Sequence, residues 1–82
     1  MCENVCMLKI IELEKLFPKY SFPKYSFTQD TISYKKHNKF IHVRFRDYRW
    51  TFHIGRIFLR RIQDIYDSID YVEDFLKSNE LL

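Results

Sequence analysis

The 82-residue sequence contains no alanine and one glycine, Gly55. A single glycine excludes the Walker loop, the dinucleotide-binding fingerprint and any Gly-rich phosphate cradle, all of which need several residues without a Cβ. The two cysteines, Cys2 and Cys6, are too few for a secreted disulfide scaffold. They are read as reduced, partly buried thiols, because a bridge across so short a loop would stabilise little. Neither a Cys-x-x-Cys pair nor a His-x-x-x-His pair is present, so no metal site and no cofactor is expected. No apolar run approaches the roughly 18 residues of a membrane span. Glu3 stands where a signal peptide carries positive charge, which predicts a cytoplasmic protein without a membrane partner. No nucleophile elbow, carboxylate pair or Ser-His-Asp arrangement stands out, and the chain is read as non-enzymatic.

Fifteen aromatics (eight Phe, six Tyr and Trp50) supply the core of what is read as one small domain over residues 1–82. Charge is strongly segregated. Residues 1–34 are neutral, residues 35–61 carry a net +8 with Asp47 as their only acid, and residues 62–82 carry −5. The modest overall charge of +3 conceals a basic middle and an acidic tail.

Cys6, Ile10, Leu13 and Phe17 recur at helical spacing and predict a helix over 4–17, with Asn4 as N-cap and Pro18 as its stop. A direct repeat follows, Phe17-Pro18-Lys19-Tyr20-Ser21 and then Phe22-Pro23-Lys24-Tyr25-Ser26. Residues 18–28 are read as an extended linker whose aromatics patch the rim of the core.

The centre alternates with period two. With Asp47-Tyr48 as a two-residue turn, Phe45 faces Trp50, Val43 faces Phe52 and Ile41 faces Ile54. The intervening pairs, Arg46 with Arg49, Arg44 with Thr51 and His42 with His53, are polar. With His37-Asn38 as a second turn, Tyr34 faces Ile41, Ile32 faces Val43, Ser33 faces His42, Thr31 faces Arg44 and Gln29 faces Arg46. Both hairpins agree on one apolar face, and shifting either by one residue would bury arginines. A three-stranded antiparallel meander over 29–54 is therefore expected, with Asp30 on its apolar side and a bulge or turn near Thr28–Asp30 that re-phases Tyr25 and Phe27. Beyond Gly55, Phe58, Ile62, Ile65, Ile69, Val72 and Leu76 step by three and four. They predict helix over 56–78, broken at Asp67-Ser68, to cover the sheet. The expected fold class is α+β.

The exposed sheet face is the foremost functional candidate. Arg44, Arg46 and Arg49 stand there with Thr31 and Thr51, and Lys35, Lys36, Lys39, Arg56 and Arg60 extend the footprint. Arginines and lysines contact phosphates, and arginine also reads base edges. Arg46 opposite Arg49 is a repulsive pair unless an anion or an acidic side chain sits between them. His42 and His53, directly opposed, could instead serve as general acid and base of a small RNase-like toxin. The tail acids Asp64, Asp67, Asp70, Glu73 and Asp74 either solvate a helix or meet a basic partner.

The order helix, three strands, helix resembles that of double-stranded RNA-binding domains, although Arg56 to Arg61 replaces their lysine-alanine entry to the last helix. It also resembles the outline of HicA-type toxins, whose Gly-Ser-His element is missing, of the arm-binding domains of some recombinases, and of small phage anti-CRISPR proteins. Absent alanine with abundant Ile, Lys, Phe, Tyr and Asn fits an AT-rich genome. Together with the slipped repeat, this suggests an accessory protein of a phage or mobile element acting in a bacterial host. The expected function is a monomeric or weakly dimeric binding protein. Its partner would be DNA or RNA, or an acidic surface on a host protein that handles nucleic acid, blocked as an anti-CRISPR or other anti-defence inhibitor would block it.

Overall fold

A computed structural model describes residues 3–20, 25–64 and 69–82. Helix α1 (Glu3–Glu14) leads into a 3₁₀ turn (Phe17–Tyr20). Five strands follow: β1 (Tyr25–Phe27), β2 (Thr31–Lys36), β3 (Lys39–Arg46), β4 (Arg49–Ile54) and β5 (Ile57–Gln63). Helix α2 (Ile69–Ser78) closes the chain. The strands form one antiparallel meander in the order β1-β2-β3-β4-β5. The α+β class stands, but the sheet has five strands and not three.

The central hairpins take the registers their alternation demands. Thr31 pairs with Arg44 and Tyr34 with Ile41, while Ile41 pairs with Ile54 and Phe45 with Trp50. His37 and Asn38, then Asp47 and Tyr48, all have positive φ, the pattern of type I′ turns whose twist matches the flanking strands. Ile32, Ile41, Val43, Phe45, Trp50 and Phe52 are at most 1% exposed. Each such side chain contributes about 1.5–3 kcal/mol by leaving water, which is what fixes the sheet's inner face. The stripe predicted for the first helix, Cys6, Ile10, Leu13 and Phe17, is buried against it, and Val72, Leu76 and Leu81 complete the same cluster.

Four expectations are corrected. First, residues 57–63 form strand β5, not helix. Gly55 (φ 59) followed by Arg56 makes a two-residue hairpin turn with the φ pattern of type II′, which suits glycine at its first central position. A bulge then sets Phe52 opposite Arg60 and His53 opposite Phe58, leaving Leu59 as the extra residue and breaking the period-two signature. The later half does become helix, beginning at Ile69, while Asp67 and Ser68 lie outside the described residues. Second, α1 begins at Glu3, so Asn4 is inside it and does not cap it. Third, Cys6 is disulfide-bonded and not a reduced thiol; Cys2 lies outside the described residues. Fourth, the described part of the repeat is not a linker. Phe17–Tyr20 of its first copy form the 3₁₀ turn and Tyr25-Ser26 of its second open edge strand β1, while residues 21–24 lie outside the described residues.

The two repeat tyrosines tie the sheet and turn to opposite helices. Tyr20 donates to Glu73 of α2 and Tyr25 to Glu14 of α1, each at 2.6 Å. Tyr25 stands opposite Tyr34, on the helix side, because the Thr28–Asp30 turn re-phases the chain as expected. The Tyr25 and Tyr34 rings both meet Phe17 edge-on, at 4.9 and 5.0 Å. Lys9 of α1 reaches Asp64, just past β5, at 2.8 Å with both side chains nearly buried. Helix α2 ends in a Schellman-type cap. Leu81 N–H donates to the Leu76 carbonyl and Glu80 N–H to that of Lys77, with Glu80 at φ 59. The Tyr34 hydroxyl then donates to the Leu81 carbonyl at 2.7 Å.

Candidate nucleic-acid interface

Both helices contribute to the core on one side of the sheet, so the other side stays open. Its side chains can be read as rows crossing the strands, successive rows being about 6.6–6.8 Å apart along each strand. One row is Arg46 and Arg49 with Gln63, and the next is Thr31, Arg44, Thr51 and Arg61. Then come Ser26, Ser33, His42, His53 and Phe58, and last Lys35 with Phe40. One half of the face is therefore rich in arginine, and the other carries imidazoles and two exposed phenyl rings.

Arg44, Arg46, Arg49 and Arg61 line a shallow depression of about 290 Å³ together with Asp47, Thr51 and His53. The β2 end of this half is pre-organised. Arg46 Nη2 lies 2.9 Å from Asp30 Oδ2, the Thr31 hydroxyl donates to Asp30 Oδ1 at 2.9 Å, and Arg44 Nε donates to Thr31 Oγ1 at 3.3 Å. Burial pushes the Asp30 carboxyl up, but the Thr31 hydroxyl, the Arg46 hydrogen bond and the charges of Arg44 and Arg46 outweigh it. The net pKa lies below the ordinary carboxylate value. Asp30 thus pairs with Arg46 from the β2 side and neutralises one partner of the Arg46/Arg49 pair. It was expected on the apolar face; the Thr28–Asp30 turn swings it outward, and Gln29 lies in that turn and not opposite Arg46.

The structure divides the predicted footprint. Lys35, Thr31, His42, Arg44, Arg46, Arg49, Thr51 and His53 do share the open face. Lys36 and Lys39 pair with each other on the helix-bearing side at the β2–β3 turn, because alternation carries them with Tyr34 and Ile41. Arg56 lies exposed in the β4–β5 turn at that same end of the sheet. Arg60 faces the helices, its guanidinium 5.8 Å from the centre of the Phe75 ring. The site gains Arg61 and Phe58, which a helix over 56–78 hid. The signal for both was Ile54-Gly55-Arg56-Ile57, a glycine in a two-residue turn between β-branched residues.

The imidazole half has its own geometry. His42 Nδ1 is hydrogen-bonded to Ser33 Oγ at 2.7 Å. His53 packs edge-on against Phe58 at 5.7 Å, and the Arg61 guanidinium is 5.7 Å from the centre of the same ring. Lys35 Nζ stands 5.5 Å from the centre of the Phe40 ring. Among the described residues, no group of three or more His, Cys, Asp or Glu side chains could hold a metal ion.

Acidic groups collect on the far side. Asp64 is paired with Lys9, and Glu73 accepts from Tyr20 with Lys19 3.7 Å away. That hydrogen bond, opposed by burial and aided by Lys19 and Lys77, holds the Glu73 carboxyl below its usual range. Asp70 and Asp74 remain exposed on α2. The described tail acids thus lie behind the sheet, the side to which Lys36, Lys39 and Arg60 also turn. Comparison with protein-family models, with curated proteins and with solved structures gives no match.

Proposed function

We propose that this protein is a non-catalytic nucleic-acid-binding module that docks phosphates on the open face of its sheet. One observation carries the reading: four arginines, Arg44, Arg46, Arg49 and Arg61, line one depression of a sheet face that the protein's own helices leave bare. Clustered arginines in fixed register suit phosphate oxygens, which accept from their forked N–H groups. Asp30 supports two of the arginines from the rim and so lowers the self-repulsion of the empty site. The acidic α2 side would repel the same polyanion and so orient its approach.

Phosphate contacts release counterions, so affinity should fall steeply with salt. Four contacts imply a log–log slope of about −3 for a single strand, a loss of about 50-fold between 50 and 200 mM salt. Fluorescence anisotropy with a labelled oligonucleotide across that range tests the reading. A flat salt dependence, or a slope unchanged in Arg44→Ala and Arg61→Ala, refutes it.

A second reading keeps the same face and places it on an acidic surface of a host protein that handles nucleic acid, as an inhibitor from a phage or mobile element would. Exposed Phe40, Tyr48 and Phe58 favour it, since aromatics beside arginines are the usual anchors of protein interfaces. Pull-down from bacterial lysate with and without nuclease separates the two, because only capture through nucleic acid is lost on digestion. A ribonuclease using His42 and His53 is favoured only by the Ser33 bond that fixes His42 Nδ1. It predicts RNA cleavage that disappears in His42→Ala.

A further inference from the structure

We infer that the open face takes single-stranded nucleic acid and not a duplex, with phosphates over the arginine half and unstacked bases on Phe58 and Phe40. This rests on the nucleic-acid reading above and specifies its ligand.

Two exposed phenyl rings adjoin the arginines. Phe58 and Phe40 are 52% and 58% exposed, so each ring is accessible to a ligand on the open face. Both project from the open face, in the two rows beyond the arginines. Phe58 is held from two sides, edge-on by His53 and by the Arg61 guanidinium. Phe40 has Lys35 beside it and borders a second depression of about 310 Å³ lined also by Ser26, Ser33, Tyr25 and Tyr34. Each exposed ring therefore has a cation within cation–π distance, so a base on the ring and its phosphate on the cation are satisfied together.

A duplex cannot use this arrangement. Its bases are stacked and paired inside, so that a protein meets phosphates and base edges, in one wide and one narrow groove, but no base faces. The arginine half would be engaged, while the phenyl half would face a charged backbone and lose water without an apolar partner. A single strand offers π-faces and phosphates side by side on one flexible chain. Stacking on an aromatic is tolerant of base identity, so little sequence preference is expected.

The test is anisotropy on the full chain with three probes: a labelled single-stranded oligonucleotide, the blunt duplex of the same sequence, and heparin as a polyanion without bases. The expected result is single-strand binding at least tenfold tighter than duplex binding. Phe58→Ala should weaken single-strand binding by about 5- to 150-fold and heparin binding far less. Phe58→Leu, which keeps an apolar side chain without a π-face, should behave like Phe58→Ala and guards against a folding artefact. Duplex binding equal to or tighter than single-strand binding, or full retention by Phe58→Leu, overturns this inference but leaves the phosphate-docking function standing. Failure to bind any of the three probes overturns both.

Discussion

Replacing Lys9 by Met should destabilise the protein more than any single change on its open face. Lys9 Nζ lies 2.8 Å from Asp64 Oδ2, with the two side chains only 10% and 5% exposed. Removing the ammonium leaves a carboxylate in a nearly dry site, and breaking such a pair from one side costs about 3–5 kcal/mol. The whole stability of an 82-residue domain is only about 4–12 kcal/mol. A loss of 3 kcal/mol corresponds to a drop of about 12–24 °C in Tm. Asp64→Leu should cost a similar amount by stranding the ammonium. The double variant Lys9→Met/Asp64→Leu should return to within about 2 kcal/mol of the parent, because apolar groups of similar volume need no partner. Urea unfolding followed by the fluorescence of Trp50, which is 1% exposed, measures all four corners of the cycle. Functional consequences should follow, because Asp64 also donates its backbone N–H to the Tyr48 carbonyl at 2.9 Å and thereby ends strand β5, which carries Phe58 and Arg61. Oligonucleotide binding should weaken in the single variants and recover in the double one. Single variants that each cost less than about 1 kcal/mol, or a double variant as unstable as the sum of the two, would refute the reasoning.

Arg61→Ala should reduce the salt slope of oligonucleotide binding by about one unit, whereas Arg60→Ala should leave it unchanged and lower stability slightly, because Arg60 packs on Phe75. Tyr34→Phe should cost about 1–2 kcal/mol in urea, since it removes the donor to the buried Leu81 carbonyl. Burial also raises the Tyr34 phenol well above its ordinary value, so in an alkaline absorbance titration it should ionise only as the fold is lost. Glu80→Gly should stabilise by about 0.5–1 kcal/mol, because the αL position of the helix cap carries a steric penalty for every residue but glycine. The Asp30 pKa is depressed in the folded state, so its contribution is fully present above the unfolded carboxylate value of about 4. That contribution is lost as pH falls through the lower folded value, and an acid titration of stability should flatten in that window in Asp30→Asn.

How much was legible depends on how tightly each segment's pattern was constrained. Residues 31–54 could be read to the exact partner, because a sheet buried on one face tolerates only one phase, and His37-Asn38 and Asp47-Tyr48 are short turns that fix it. The stripe from Cys6 to Phe17 was equally clear, since its 4-3-4 spacing has no strand counterpart. Strand β5 was not legible. Its bulge at Leu59 scrambles the alternation, while Phe58, Ile62 and Ile69 mimic helical steps. As an edge strand it is also constrained by pairing on one side only. Arg61 and Phe58 were missed for that reason, and Arg60 was assigned to the wrong side.

Order along the chain therefore determined the core, the two central hairpins and the fact that three arginines share a face, because period-two burial is a local and sufficient constraint. Tertiary structure alone decided that a fourth arginine and a phenyl ring join them, and that Asp30 turns out to meet Arg46. It also decided that Asp64, Asp70, Glu73 and Asp74 gather behind the sheet. Those outcomes depend on a bulge, a turn and a helix docking across long stretches of chain, where the energy comes from contacts that no local pattern encodes.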